Sequence, residues 1–526
     1  MYLDEQGVRD RALGSEPPET VSEDRNRAIA QPGRLRVERL HDLHSTAHPT
    51  DRTVNGTQRA TLAVLVVGVA AFSLAQSLLI PELGPLAREL GTDQSTITWL
   101  LTAYLISASV STPIAGRLGD AWGKNRALVI SLALLALGSL VGALAPDVGW
   151  MIAARVLQGA GGGVLPLSFG IIRDELPPER VPQAISITTS LLTVGIGGGI
   201  VLAGPLVSTL GYSWLFWAPC LVCSVAAVAA AKVVPHSPTR TRERIRPVSA
   251  LLLAGWLLLL LVPVSRASVW GWTSPAVWLP LLGAAAVFAL WARSELRSDT
   301  PIIDLRGMRN RAVWTAHAIA FLIGFGLYSS STLIPQFLQT PVVAGYGFGV
   351  TSAQSGLMLI PQCLFSFAAG LSAVRVARRL GSRAVVIAGA LLAGIGTALI
   401  ALAGGSLAGV YAGTTLIGLG TGLSLSLLAN LVVAAVPAAQ TGVAAGTNAN
   451  LRTIGGAIGS AVVTTVVTAQ VAATGRPTSA SYTEGFLIIA SMLIVAALVG
   501  FLVPAAVSRE RGAATTRTEA EEVSTV

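Results

Sequence analysis

A chain of 526 residues with 52% hydrophobic and only 12% charged residues and a mean hydropathy of +0.66 is too apolar for a water-soluble protein of two or three domains. The net charge of +9 does not imply nucleic acid as a partner, because the first 59 residues carry nine Arg against ten acids and the tail from Arg509 three against four, so the excess sits in the connections between apolar runs. The three cysteines, Cys220, Cys223 and Cys363, all fall in apolar runs with no second ligand pair, which reads as small buried side chains and not as a metal or redox site.

Residues 1–59 contain no apolar run, mix both charges and scatter Pro and Gly through a polar background, as expected of a disordered cytoplasmic arm. No secretory signal is expected, since no basic start leads directly into an apolar stretch. Fourteen runs follow, each near the roughly 20 residues that a helix needs to cross about 30 Å of hydrocarbon. They are placed near 61–80, 95–115, 127–145, 150–172, 185–208, 215–234, 248–265, 276–292, 312–338, 352–374, 384–403, 407–433, 441–470 and 484–504. The expected fold class is therefore all-α, a polytopic membrane protein with 14 transmembrane helices. An even count puts both termini on one side. Connections after even-numbered helices, with the tail and with Lys232 counted in the connection it adjoins, hold 22 basic residues, against only Arg88, Arg266 and Arg476 in the opposite set. The positive-inside rule then places both termini in the cytoplasm, with a bacterial cytoplasmic membrane as the expected location.

The connection Gly116-Arg-Leu-Gly-Asp120-Ala-Trp-Gly123-Lys-Asn-Arg126 returns loosely as Val374-Arg-Val-Ala-Arg378-Arg-Leu-Gly381-Ser-Arg383. Both follow the second helix of a six-helix set if helices 7 and 8 are an insertion. Two related bundles around a central path are a common plan of secondary transporters. The expected division is arm 1–59, first bundle 60–235, inserted pair with its linkers 236–311, second bundle 312–505 and cytoplasmic tail 506–526.

Several segments carry chemistry. In the connection after helix 2, Gly116 and Gly123 allow a tight turn, and Asp120 beside Arg117, Lys124 and Arg126 can make charge-assisted bonds or face a helix N-terminus. The same stretch superficially resembles a phosphate loop but lacks its spacing and the hydroxyl residue after Lys, which excludes an NTPase. Arg155, inside helix 4, is costly in hydrocarbon unless paired or facing water, and Gln158, three residues on, shares its face. Arg452 in helix 13 is the second intramembrane cation, flanked by Asn448 and Asn450. Four Gly-x-x-x-Gly pairs, beginning at Gly159, Gly195, Gly418 and Gly455, read as close helix packing.

The Gly116–Arg126 pattern resembles the signature between helices 2 and 3 of the major facilitator superfamily, and Arg155-Val-Leu-Gln158-Gly159-Ala-Gly161-Gly resembles its second motif. The Trp99-Leu-Leu-Thr-Ala-Tyr104 start of helix 2, Arg173-Asp-Glu, Tyr212-Ser-Trp214-Leu-Phe-Trp217 and Asn450-Leu-Arg452-Thr-Ile-Gly-Gly are similar to the fourteen-helix drug/proton antiporter branch, of the actinobacterial antibiotic-exporter type. The resemblance covers about residues 60–504. It implies a secondary transporter that exports hydrophobic small molecules by alternating access, with Gly116, Arg117, Asp120, Gly123, Lys124 and Arg126 as a gating loop, no cofactor, no catalytic residue and the proton gradient as energy source.

Two departures stand out. The antiporter motif of helix 5 keeps its glycines but not its Gly-Pro pairs, and where many such exporters carry a membrane-embedded Asp in helix 1 this chain has Phe72. None of the 27 acids lies well inside an apolar run. Glu82, Asp120 and His317 are the remaining proton carriers, His317 on the strength of its ordinary titration near neutrality. The path is expected to be lined by polar residues interrupting the helices, namely Gln76, Tyr104, Thr193, Ser330, Gln336, Gln362 and Asn448, with Arg155, Gln158, His317 and Arg452 beside them. Expected partners are a small hydrophobic substrate, protons and membrane lipid, with a monomer as the working unit. Export of lipids or envelope precursors, and a transport-inactive sensor or scaffold, stay open as alternatives.

Overall fold

The computed structural model describes residues 55–236, 246–298, 301–403, 405–437, 440–469 and 477–504. The tail 506–526 and nearly all of the arm lie outside the described residues; residues 56–59, expected in the arm, instead open the first helix. Its start is fixed where Gln58 accepts from the Asn55 N–H at 3.0 Å and donates to the Glu175 carbonyl at 2.7 Å.

The spans are α1 Gly56–Ser77, α2 Trp99–Trp122, α3 Lys124–Ala143, α4 in two pieces Val148–Ala160 and Val164–Glu175, α5 Val181–Leu210, α6 Trp214–Val233, α7 Pro247–Trp270, α8 Pro275–Leu296, α9 Arg311–Gln339, α10 Ile360–Leu380, α11 Ser382–Ala403, α12 Leu407–Ala434, α13 Thr441–Ala469 and α14 Ser479–Gly500. Thirteen helices among the described residues are long and apolar enough to cross a bilayer. The other expected span, α4, falls short of that length only because the three glycines at 161–163, poor helix formers, interrupt it. It starts at an N-cap, the Asp147 carboxylate accepting from the Gly149 and Trp150 N–H groups at 2.8 and 3.1 Å.

Three boundaries differ from the sequence reading, each with consequences for the site. Helix α1 stops at Ser77, not 80, and continues only as a 3-10 turn Ile80–Glu82 and a short helix Leu83–Glu89. Pro81 explains this: it has no N–H for the carbonyl four residues back. Helix α2 runs to Trp122, so Gly116 and Asp120 lie within it and only Gly123, at φ +107°, makes the turn. Helix α7 extends to Trp270, which places Arg266 inside a helix and not in an external connection.

The helices form two six-helix bundles, α1–α6 and α9–α14, with α7 and α8 as a packed pair between them in sequence. The bundles meet chiefly through α2 with α13 and α5 with α10, while α7 packs against both α2 and α13. Leu, Val and aromatic side chains such as Trp278, Leu279, Leu282 and Leu290 of α8 and Leu221, Val225 and Val228 of α6 point outward, the surface expected where the solvent is lipid. The glycine pairs do pack helices: a Cβ at Gly455 would meet the Phe321 carbonyl, and one at Gly418 the Gln362 carbonyl.

Candidate functional site

A cavity of about 460 Å³ lies between the two bundles, walled by α1, α2, α7, α9 and α13. Ile80, Trp99, Val269 and Thr468 line it near the helix ends beside the α1–α2 connection, while Gln76, Tyr104, Arg155 and Tyr328 line its polar floor.

Arg155 is fully buried. Its Nε donates to the Leu100 carbonyl at 2.8 Å, Nη1 to the Ala75 carbonyl at 2.9 Å and to Gln158 Oε1 at 2.7 Å, and Nη2 reaches the Gln76 carbonyl at 3.4 Å. Ala75 and Gln76 close the last turn of α1, where carbonyls lack helical partners and the helix dipole is negative. The early end of α1 thus supplies the acceptors that let a guanidinium be buried without a carboxylate. The cation also lies 4.4 Å from the centre of the Tyr104 ring. Gln158 faces the same way, as its spacing requires, and donates to Ser139 Oγ of α3 at 2.7 Å; it orients Arg155 and does not line the cavity.

A polar chain crosses between the bundles at this floor. Gln76 Nε2 donates to the Tyr328 hydroxyl at 2.8 Å, and Arg452 of α13 lies near enough to the same Tyr328 to interact with it. The sequence reading missed Tyr328; a lone phenol midway along a 29-residue apolar helix was the available signal. It also missed Trp99, Arg266, Thr332, Ser460 and Thr464 as lining residues.

The remaining expected path residues divide among other places. Thr193, Ser330 and Gln362 meet in a cleft of about 20 Å³ between α5, α9 and α10, and Asn448 with Arg452 in one of about 10 Å³ against α4 and α12, each with room for about one water. Gln336 is exposed and lines none of these three spaces. Its position in α9 turns it away from the partner helices. His317 is buried and its Nδ1 lies 3.2 Å from Asn448 Nδ2, an α9–α13 contact outside the cavity.

Beneath the floor, the face that carries the α2–α3 connection is closed by contacts between bundles. Gly116 lies against Gly442 so closely that a Cβ would come within 2.7 Å of its carbonyl oxygen. That approach brings the buried Asp120 carboxylate to the first turn of α13, where the Val443 N–H faces it. The expected loop is therefore the end of a helix, and of the two alternatives for Asp120 the helix N-terminus is its inter-bundle partner. Lys124 pairs with Asp174 at 2.7 Å, both buried, and Arg126 is exposed. Arg117, half-buried, and Lys124 lie near enough to Asp120 to act on its charge. Arg173 at the end of α4 reaches across, Nη1 donating to the Val433 and Val436 carbonyls at 2.6 and 2.9 Å and to Thr441 Oγ1 at 2.9 Å. On the opposite face Ser352 Oγ donates to Glu82 Oε1 at 2.7 Å, tying the α1 extension to the segment before α10.

Comparison with known proteins agrees with this architecture. The chain is similar to a multidrug resistance protein B homolog of Mycobacterium tuberculosis, 31% identical over 329 residues, which are 62% of this chain and 58% of that protein's own length. It is similar to the tetracenomycin C resistance and export protein of Streptomyces glaucescens, 25% identical over 79% of this chain and 77% of that one, and to the multidrug resistance protein Stp of M. tuberculosis, 28% identical over 76% and 74%. Among solved structures, the human organic anion transporter MFSD10 superposes with a TM-score of 0.60 at 20% identity, covering 85% of this chain and 99% of that one, a likeness of fold. The sequence profile of the Major Facilitator Superfamily matches residues 65–460, and the chain accordingly belongs to that superfamily as an all-α, multi-pass membrane protein.

Proposed function

We propose that this protein is a secondary transporter that exports hydrophobic small molecules of antibiotic or drug type from the bacterial cytoplasm by alternating access. The observation that carries this reading is the cavity of about 460 Å³, shared by both bundles and lined mainly by apolar side chains over a polar floor, with the α2–α3 face shut beneath it. Resistance and export proteins among the similar sequences support the substrate class. The bias of basic residues supports a cytoplasmic side for both termini and for the closed face, and on this reading the state described has its cavity toward the outside. No enzymatic step and no cofactor is needed for this task.

We place proton coupling at the carboxylates buried between bundles, Asp120 on one face and Glu82 on the other, since among the described residues no acid lines the cavity. His317, bonded to Asn448 away from the cavity, is the weaker carrier.

The test is accumulation of a panel of neutral, anionic and cationic hydrophobic compounds in cells with and without the protein. Expression should lower accumulation of at least one class, and a protonophore should abolish the difference. Unchanged accumulation of every compound refutes export; efflux that survives the protonophore refutes proton coupling alone. Arg155→Lys should lose most of that efflux, because a single ammonium cannot hold the Leu100, Ala75 and Gln158 oxygens together.

A further inference from the structure

We propose that the end of the inserted pair where α7 begins and α8 stops, together with the linker into α9, is a binding site for the phosphate headgroup of an anionic phospholipid. Arg246, Arg293, Arg297, Arg306 and Arg309 form it. The assignment does not depend on which compound is exported.

The linker is held in one shape from within. Ile302 and Ile303 are buried in one cluster with Leu253 and Leu257 of α7 and Trp291 of α8. The buried Glu295 carboxylate accepts from the Ser249 hydroxyl of α7 and, at 3.2 Å, from the Ile303 N–H. The start of α7, the end of α8 and the linker therefore meet at one point. Asp304 Oδ1 then accepts from the Arg306 and Gly307 N–H groups at 3.0 and 2.9 Å, which turns the chain back. Arg306 Nη2 donates to the carbonyl of Leu296, the last residue of α8.

That fold gathers the arginines. Arg246 comes three residues before Ser249, Arg293 and Arg297 are one helical turn apart at the end of α8, and the turn at Asp304 brings Arg306 and Arg309 to the same end. All five side chains are exposed, and none forms an ion pair with a described residue. The described acids here are two, Glu295 and Asp304, and both bond hydroxyl or backbone N–H groups; Asp299 lies outside the described residues. Exposed guanidinium groups where a helix leaves hydrocarbon attract phosphate, which each fork can hold through two parallel bonds. Lipid is the fitting occupant because the cationic end continues into bare apolar surface. Val248 and Leu251 of α7 and Leu290 and Leu296 of α8 are exposed, so acyl chains can lie along the pair while the headgroup meets the arginines. The α10–α11 connection also exposes three arginines, Arg375, Arg378 and Arg379, but its next helix starts at once and no linker folds back over the helix end.

The full chain is purified in detergent, and the first binding step of phosphatidylglycerol and of phosphatidylcholine with the same acyl chains is measured by native mass spectrometry. Phosphatidylglycerol should bind at least about tenfold more tightly. Arg293→Gln, Arg297→Gln and Arg309→Gln together, at side chains that hold no bond to the described residues, should lower that preference about tenfold, and lysine at the same three positions should keep most of it. Arg375→Gln, Arg378→Gln and Arg379→Gln together should change it by less than about twofold. No preference in the wild type, an unchanged preference in the first triple variant, or an equal loss in the second overturns the assignment. Displacement of phosphatidylglycerol by millimolar inorganic phosphate overturns lipid as the occupant. If the first triple variant does not fold, Arg297→Gln alone decides, with a loss of about threefold expected and no loss overturning the site.

Discussion

The α2–α3 and α10–α11 connections begin from the same local plan and end in different places. Each has a helix that stops at a glycine with positive φ, Gly123 at +107° and Gly381 at +85°, whose N–H returns to the carbonyl four residues back, Gly119 at 3.0 Å and Ala377 at 2.8 Å. The next helix starts at once in both. Yet the first copy carries Gly116 and Asp120, buried against the start of α13, and the second carries Val374 and Arg378 at the equivalent positions, with Arg378 exposed. A helix N-terminus holds about half a positive charge and attracts a carboxylate, whereas a cation there is repelled. The repeat therefore fixes the turn, and two side chains decide whether the turn docks on the other bundle.

Exchanging those side chains breaks the comparison most directly. Gly116→Val gives the first copy the bulk of the second, and its Cβ would press to within 2.7 Å of the Gly442 carbonyl oxygen. Overpacking of this kind costs roughly 1–3 kcal/mol, here drawn from the closed face. The expected result is loss of nearly all efflux with normal membrane insertion; wild-type efflux would show that α2 and α13 need not approach so closely.

Asp120→Arg transfers the charge of the second copy. It removes an interaction worth up to about 2 kcal/mol and adds repulsion from the same helix end, so efflux should fall more than about tenfold while the protein still reaches the membrane. Asp120→Asn keeps the shape and loses only the charge-assisted contact. An intermediate loss of efflux is expected, and equal activity of Asp120→Asn and wild type would remove charge from the account of this face. The smallest effect is reserved for Arg378→Asp, which gives the second copy the acid but not the glycine. Exposed substitutions of this kind usually stay within about 0.5 kcal/mol, so thermal stability and efflux should match wild type. A marked gain or loss would mean that the α10–α11 connection also docks in some state of the cycle.

Much of this was readable in the chain because hydrocarbon leaves few choices. Backbone groups without water must pair within a helix, so apolar length gave the spans, and α11 and α12 were placed within two residues of their observed bounds. Helix ends were harder wherever polar residues continue the helix beyond its apolar part. The last two turns of α2 hold Arg117 and Asp120, and the last turns of α7 hold Ser265 and Arg266; hydropathy ended both helices too soon and so moved Arg266 out of the site.

By itself, then, the sequence determined the spans, the turns at Gly123 and Gly381, the shared face of Arg155 and Gln158, and the scarcity of acids in the membrane, since each follows from local geometry or from the solvent. Only the tertiary structure decided which polar groups meet. Tyr328 joins Gln76 to Arg452, two residues 376 positions apart in the chain; Gln336 points outward although its composition and neighbours resemble those of residues that point in; and the end of α1 lends its carbonyls to Arg155. Those outcomes depend on the rotation of each helix about its axis and on which bundle faces it, and helices whose surroundings are apolar on every side carry little periodic signal for either.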